Sequence, residues 1–360
     1  MVNPTFWRDK KVLITGHTGF KGAWLSLWLQ SAGAHVTGYS LAPPTSPNLF
    51  EQANVGQGMQ SVIGDIRDAE HLKQTMDQYR PGIVFHLAAQ ALVRRGYQHP
   101  VATFDVNVVG TACLLEAVRE AGGVNAVVVV TSDKCYQNTE NSVAYKETDV
   151  LGGNDPYSSS KACAELVVAA YRSSFGNGSS TQAPAMASVR AGNVIGGGDW
   201  AEDRLLPDIM RAIIEGRPVA IRNPHAIRPW QHVLEPLGGY LLLAERLCRE
   251  GKKFAGAWNF GPFAQDAEPV EAVVRRVVAL WGDGASWVLD AGPHPHESKV
   301  LKLDCTKAQE HLCWKPCWRL EQALEATVSW YKAYLRGQNL RAVVLEQLAS
   351  YQSKALSAVR

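Results

Sequence analysis

Between Lys11 and Arg190 the chain alternates between short β-branched runs and longer stretches of helical periodicity. Lys11–Thr15, His35–Tyr39, Ser61–Ile63, Ile83–His86, Ala126–Thr131 and Met186–Arg190 have the length and composition of strands. Helical patterns fall near Lys21–Ala32, Glu70–Gln78, Ala102–Glu120 and Tyr157–Ser173. Strands joined through crossover helices form a parallel sheet covered on both faces. Ala126–Val130 is apolar without alternation, as a strand buried on both sides requires. The pattern predicts an α/β fold: a Rossmann-type doubly wound parallel sheet.

After Ala191 the alternation breaks. Glycine, proline and tryptophan become dense in Gly196–Trp200 and Arg222–Trp230, the sheet returns briefly around Trp258–Phe260, and Leu320–Leu335 reads as a helix with Leu320, Leu324, Val328 and Tyr331 on one side. The expected organisation is a Rossmann domain over residues 1–190 with a return segment near 229–260. A smaller α/β domain covers 191–228 and 261–345, and 346–360 form a tail. A chain of 360 residues suits two such packed domains.

Composition narrows the partners. A net charge of +2, with no local run of Lys and Arg, gives no footprint for nucleic acid or for an anionic membrane surface. Met1–Lys11 lacks the apolar segment of a secretory signal, and apolar stretches such as Ala126–Val130 are too short to span a bilayer. Seven cysteines without regular spacing fit a reducing compartment, with cytoplasm as the expectation. Cys313 and Cys317 lack a second ligand pair, so they read as buried free thiols and no metal is expected.

The turn Gly16-His17-Thr18-Gly19-Phe20-Lys21-Gly22 follows the first strand and opens the first helix. A dinucleotide pyrophosphate needs a tight turn, close backbone approach and free N–H groups at a helix N-terminus, and Gly16, Gly19 and Gly22 supply these. The end of the second strand carries Tyr39-Ser40-Leu41, with neither the acid that holds a ribose nor an arginine for a 2′-phosphate, so these residues leave NAD and NADP both open. Asp65 and Ile66, at the end of the third strand, are placed to meet the adenine.

Tyr157 and Lys161 begin a helix after Pro156, four apart and on one face. A phenol with an ordinary pKa of about 10 is a poor base at neutral pH, and a nearby ammonium favours its phenolate. Together with the glycine turn, the pair points to oxidation of a hydroxyl.

These motifs resemble the extended short-chain dehydrogenase/reductases that act on nucleotide sugars. The resemblance runs from about Lys11 to Tyr331 and includes Leu87-Ala88-Ala89-Gln90 and Asn107-Val108-Val109-Gly110-Thr111. It implies that Leu87 to Gln90 line an NAD cofactor, that Asn107 supports the active site, and that a nucleoside diphosphate sugar binds the C-terminal domain. Thr131-Ser132-Asp133-Lys134-Cys135-Tyr136 resembles the position where the 4,6-dehydratases of this family carry a hydroxyl residue, an acid and a base. With Phe6-Trp7, the glycine turn, His296-Glu297 and Leu301-Lys302-Leu303-Asp304, the chain looks most like the members that act on CDP-glucose.

In that chemistry C4 is oxidised, the ketone acidifies the C5 hydrogen, water leaves across C5 and C6, and C6 is reduced. The residues divide accordingly. Tyr157 is the base at O4 with Lys161 stabilising its phenolate, Ser132 bonds O4, Asp133 is the acid at C6 and Lys134 the base at C5. Lysine is a base only when deprotonated, which requires desolvation and neighbouring positive charge to lower a pKa of about 10.4. Arginine grips phosphate bidentately, so Arg190, Arg204, Arg222 and Arg228 are diphosphate candidates. The resemblance adds Asn193 at the phosphate, with His296 and Glu297 near the ribose. It also implies a homodimer or homotetramer and a setting in deoxysugar synthesis for surface polysaccharide, such as lipopolysaccharide O-antigen. Three other readings stay open: a UDP-N-acetylhexosamine dehydratase, a sugar 4-epimerase, and a noncatalytic dinucleotide sensor.

Overall fold

Strands β1 (Lys11–Thr15), β2 (His35–Ser40), β3 (Gln60–Ile63), β4 (Ile83–His86), β5 (Ala126–Val130), β6 (Ala185–Ala191) and β11 (Gly256–Phe260) form one parallel sheet in the order β11-β6-β5-β4-β1-β2-β3. The computed structural model describes residues 2–139, 143–176, 183–282, 284–290, 292 and 301–357. Successive residues of the central strands enter opposite cores, as the strand period of two demands. Val12, Ile14, Ile83, Phe85, Ala126 and Val128 face one core, while Leu13, Val84, Val127 and Val129 face the other.

Helices α1 (Phe20–Ser31), α7 (Leu234–Glu250), α9 (Leu320–Leu335) and α10 (Leu340–Ser357) fill the first core with Trp24, Trp28, Leu241, Trp330 and Leu348. Helices α2 (Ala69–Tyr79), α4 (Pro100–Ala121) and α5 (Pro156–Phe175) fill the second with Leu72, Met76, Leu114, Leu115 and Val168. The chain winds outward from β1 to β3, then returns to β4 on the other side of β1. That reversal opens a crevice at the carboxyl ends of β1 and β4, where ligands bind in open α/β sheets.

Beyond β6, short strands pair in twos: β7 (Val194–Ile195) with β10 (Gln231–His232), β9 (Ile227–Pro229) with β12 (Ala267–Pro269), and β8 (Val219–Ile221) with β13 (Trp287–Leu289). Helix α3 (Val93–Gln98) lies beside α5, α6 (Leu205–Ile214) carries the chain from β7 towards β8, and α8 (Val270–Trp281) packs against α9.

Three sequence expectations are corrected. Residues 346–357 are not a tail but most of α10, whose Tyr351 meets Trp28 edge-on at 5.8 Å between ring centroids. Helix α4 runs unbroken for 22 residues and by length and composition alone could cross a membrane, against the expectation that no stretch could; it packs against α2 and α5 over the sheet. Cys313 is exposed and Cys317 half-buried, so neither is a buried thiol.

Candidate active site

The glycine turn is shaped by close approach. Gly16 has φ 77°, and a Cβ there would fall 2.7 Å from the Ala88 nitrogen; one on Gly22 would fall 2.1 Å from the Gly16 carbonyl oxygen. Gly19 caps α1 without a side-chain hydrogen bond, leaving the helix N-terminus to an anion. Space and polarity both fit a dinucleotide pyrophosphate. His17 turns its ring down onto β2, where a Cβ on Gly38 would fall 2.2 Å from its Cγ, and its Nε2 lies 2.7 Å from Ser61 Oγ. Burial pulls its pKa down to about 4, so this imidazole is neutral. Thr18 donates to the Leu41 carbonyl at 2.9 Å and meets Ser40 Oγ at 2.8 Å. The turn is thereby fastened to Tyr39-Ser40-Leu41, the stretch that lacks a ribose acid. Asp65 is held by Arg67 at 2.6 Å, which lowers its pKa, and Ile66 is buried against Gly110.

A chain of buried hydrogen bonds crosses from this turn to the catalytic helix. Thr15 Oγ1 lies 2.7 Å from His86 Nδ1, and His86 Nε2 lies 3.1 Å from Thr111 Oγ1. Thr111 in turn donates to the Asn107 carbonyl at 2.7 Å. Thr111 therefore accepts from Nε2–H, which makes His86 the Nε2 tautomer. Burial, then the charge of Lys161, hold its pKa down at about 3. Asn107 accepts from the Gln90 nitrogen at 2.8 Å and donates to the Gln90 carbonyl at 3.0 Å and to Ser160 Oγ at 2.8 Å. Ser160 donates to the Tyr157 carbonyl at 2.7 Å. Leu87 to Gln90 are thus clasped to the first turn of α5, which starts at Pro156 behind an Asp155 cap.

At that turn Tyr157, Ser132, Asp133 and Lys161 come together, all buried. Burial raises the Tyr157 pKa to about 12, and the Ser132 hydroxyl and the Arg204 charge oppose it. Burial also lowers Lys161 to about 8, with its Nζ 3.3 Å from the Val130 carbonyl. Ser132 donates to Asp133 Oδ1 at 3.1 Å and accepts from the Lys134 nitrogen at 3.2 Å. Asp133 is 3% exposed, and its Oδ2 is buried with no hydrogen-bond partner among the described residues. Burial raises its pKa to about 6, and Lys134, Ser132, Arg228 and Lys21 restrain the rise. Gly192 is required beside it: a Cβ there would fall 2.8 Å from Oδ2. Lys134 is half-buried at the same short turn.

The predicted phosphate arginines part company. Arg190 is corrected: its guanidinium donates to both Glu165 oxygens at 3.0 and 2.9 Å and to the Glu147 carbonyl at 3.2 Å, and it stacks on Tyr136. With every nitrogen engaged and almost no exposure, it braces the core and does not reach for a ligand. Arg204 pairs with Asp199 at 3.1 Å and places its charge by Tyr157. Arg228 is buried near Asp133, while Arg222 pairs with Asp203 at 3.1 Å. Asn193 is half-buried, its carbonyl accepting from the Gln231 nitrogen at 3.0 Å. His296 and Glu297 lie outside the described residues.

Sequence reasoning missed two participants. Glu165 accepts from Thr131 at 2.5 Å and Ser188 at 2.6 Å besides Arg190, and its spacing of four from Lys161 on one helix was a legible signal. Lys21, counted only as part of the glycine turn, feels Arg204, Asp133, Lys161 and Asp199; burial first, then those cations, lower its pKa to about 7.

A doubly wound sheet, a glycine turn at its switch point and a buried Tyr–Lys pair define a dinucleotide-dependent enzyme. The chain belongs to the GDP-mannose 4,6 dehydratase family, whose model matches residues 13–254. It is 53% identical over 98% of its length to the CDP-glucose 4,6-dehydratase of Salmonella typhimurium, covering 99% of that protein. It is 25% identical to a dTDP-glucose 4,6-dehydratase of Xanthomonas campestris over 89% of this chain and 92% of the relative. Among solved structures, the Thermus thermophilus UDP-glucose 4-epimerase in complex with NAD matches with TM-score 0.77 and 26% identity, over 89% of this chain and 98% of that one. A Streptomyces venezuelae dTDP-glucose 4,6-dehydratase with NAD bound shares the fold at TM-score 0.75 and 23% identity, over 92% and 99% of the two chains.

Proposed function

We propose that this chain dehydrates CDP-D-glucose to CDP-4-dehydro-6-deoxy-D-glucose, using NAD and returning it unchanged. The observation that carries the reading is Asp133, a buried carboxyl with one oxygen unpartnered among the described residues, beside Ser132, Tyr157 and Lys134. A 4-epimerase needs the tyrosine but has no use for an acid held there at a raised pKa. The nucleotide is inferred from the relative that shares about half of all residues across the full length.

Bound NAD supplies a two-electron oxidation at C4 and the matching reduction at C6. Gly16 to Gly22 cradle its pyrophosphate, Asp65 and Ile66 meet its adenosine end, and Leu87 to Gln90 with Asn107 line the rest. Tyr157 takes the proton of the O4 hydroxyl, which Ser132 orients, and Lys161 favours the phenolate. Lys134 takes the C5 proton, Asp133 gives its proton to the departing C6 hydroxyl, which leaves as water, and Lys134 returns a proton to C5 as C6 is reduced. Arg204, Arg222, Arg228 and Asn193 hold the diphosphate, with His296 and Glu297 at the ribose. From the resemblance we also infer a cytoplasmic homodimer or homotetramer serving deoxysugar synthesis for surface polysaccharide. Exposed Val101, Val109 and Leu166 on α4 and α5 support helix pairing between copies.

The test is incubation with NAD and CDP-glucose in deuterated water. A 4-keto-6-deoxy product with deuterium at C5 and no net cofactor reduction is expected. Turnover of UDP- or dTDP-glucose without CDP-glucose would overturn the nucleotide assignment, and a C4 epimer as product would overturn the dehydration.

A further inference from the structure

Helix α3 lies directly on the catalytic helix: a Cβ added at Gly96 would fall 3.2 Å from the Tyr157 nitrogen and 3.3 Å from its Cβ. From this helix Arg94 reaches out of the Rossmann half, its Nη1 3.2 Å from Asp203 Oδ1. Asp203 belongs to the loop that joins β7 to α6, and the same oxygen lies 3.1 Å from Arg222, just past β8. One carboxylate oxygen is therefore shared by guanidiniums from both halves of the molecule. The next residue is Arg204, whose charge acts on Tyr157.

The near end of this loop is fixed by other means. Tyr331 donates to the Asp199 carbonyl, Arg211 donates to the Trp200 carbonyl at 2.6 Å, and Trp200 Nε1 meets Gln52 at 3.3 Å. At the far end Asp203 sits at φ 59°, in the left-handed region that an aspartate enters at a cost. Its two ion pairs hold that backbone where it is. We propose that Arg94 is a positioning residue: by pairing with Asp203 it docks the 199–204 loop against α3 and so sets Arg204 beside Tyr157. The inference rests on the reading of Tyr157 as the proton acceptor at O4.

Arg94 and Asp203 are 29% and 33% exposed, and ion pairs at such exposure contribute little to global stability. A positioning role therefore separates from a structural one. In R94Q the melting temperature should stay near wild type while kcat falls about tenfold, the effect of a modest misplacement. Moving the Arg204 charge away weakens its support of the phenolate, so the limb of the rate profile that rises with pH should move to higher pH. R94K should recover most of the rate. D203N keeps a residue that tolerates left-handed backbone, and the R94Q/D203N double variant should be no slower than the worse single one, because both break one interaction. Hydrogen exchange of unliganded protein should show faster exchange across residues 199–204 in R94Q than in wild type.

Unchanged exchange in that loop, an unmoved pH profile, or losses that multiply in the double variant would each overturn the proposal. Failure of the wild type to turn over CDP-glucose would instead strike the functional reading, and the exchange comparison would still decide the docking.

Discussion

Asp133 faces opposed demands: an acid must hold its proton near neutral pH, yet Lys134, Arg228 and Lys21 all favour its charged form. Burial wins, and the pKa rises from the ordinary 3.8 to about 6. Between those values the folded protein keeps a proton that the unfolded chain releases, so stability falls as pH rises through that window and the deficit is complete above it. Asp133→Asn removes the charge that must be buried. Its rate should drop by roughly 10²–10⁴, the usual worth of a general acid. Thermal melts should show the variant more stable than wild type at pH 7.5, by on the order of 1–3 kcal/mol, with the advantage gone near pH 4. An unaltered rate would remove Asp133 from the chemistry. Lys134→Met separates the steps differently: C4 oxidation should survive and elimination fail, so reduced-nicotinamide absorbance should build up on adding CDP-glucose. Full dehydration by that variant would leave Lys134 a structural residue.

At the scale of elements, helix α4 shows what local pattern reveals and what it hides. Its apolar spacing is legible, and the segment around Asn107 is marked by resemblance. The widened turn at Asp105–Val109 is not, because nothing in the residue types forces the Gly110 N–H to bond the Asp105 carbonyl five residues back. Such π turns gather at functional sites. This one lets Asn107 bond Gln90 and Ser160 with its side chain while its carbonyl accepts from Thr111. Asn107→Ala would strand the half-buried Gln90 N–H, at a cost of about 1–3 kcal/mol. Steady-state kinetics should show a fall in kcat of roughly 5–150-fold, with NAD binding weakened alongside it. Wild-type kinetics would mean that the clasp does not position the catalytic turn. The arginines make the same point in reverse: residue type nominated Arg190 for phosphate, but only folding brings Glu165 within reach of it.

For the molecule as a whole, the alternation of strand and helix was legible because it is local, whereas the closure of the core was not, because its partners lie far apart in the chain. Strand β11 pairs with β6 across more than sixty intervening positions, Ala257 beside Ser188 and Trp258 beside Val189. Glu235, fully buried on α7, accepts from the Trp318 nitrogen at 2.6 Å and the Tyr351 hydroxyl at 3.0 Å, binding α10 to the first core. Leu340, Val344, Leu348 and Tyr351 recur at helical spacing in the sequence, yet what they cover, Trp28 among it, becomes visible only in three dimensions. The Rossmann half thus borrows one edge strand and three helices from the rest of the chain. A fragment ending at Ala191 would expose the β6 edge and leave α1 as the one long helix over that face of the sheet, baring Trp24 and Trp28 where α7, α9 and α10 had covered them. The full chain should melt in a single transition by near-ultraviolet circular dichroism, and the fragment should show no cooperative transition. A fragment that melts cooperatively would mean that the sheet and helices α1 to α5 suffice, and that the second half covers a core already made.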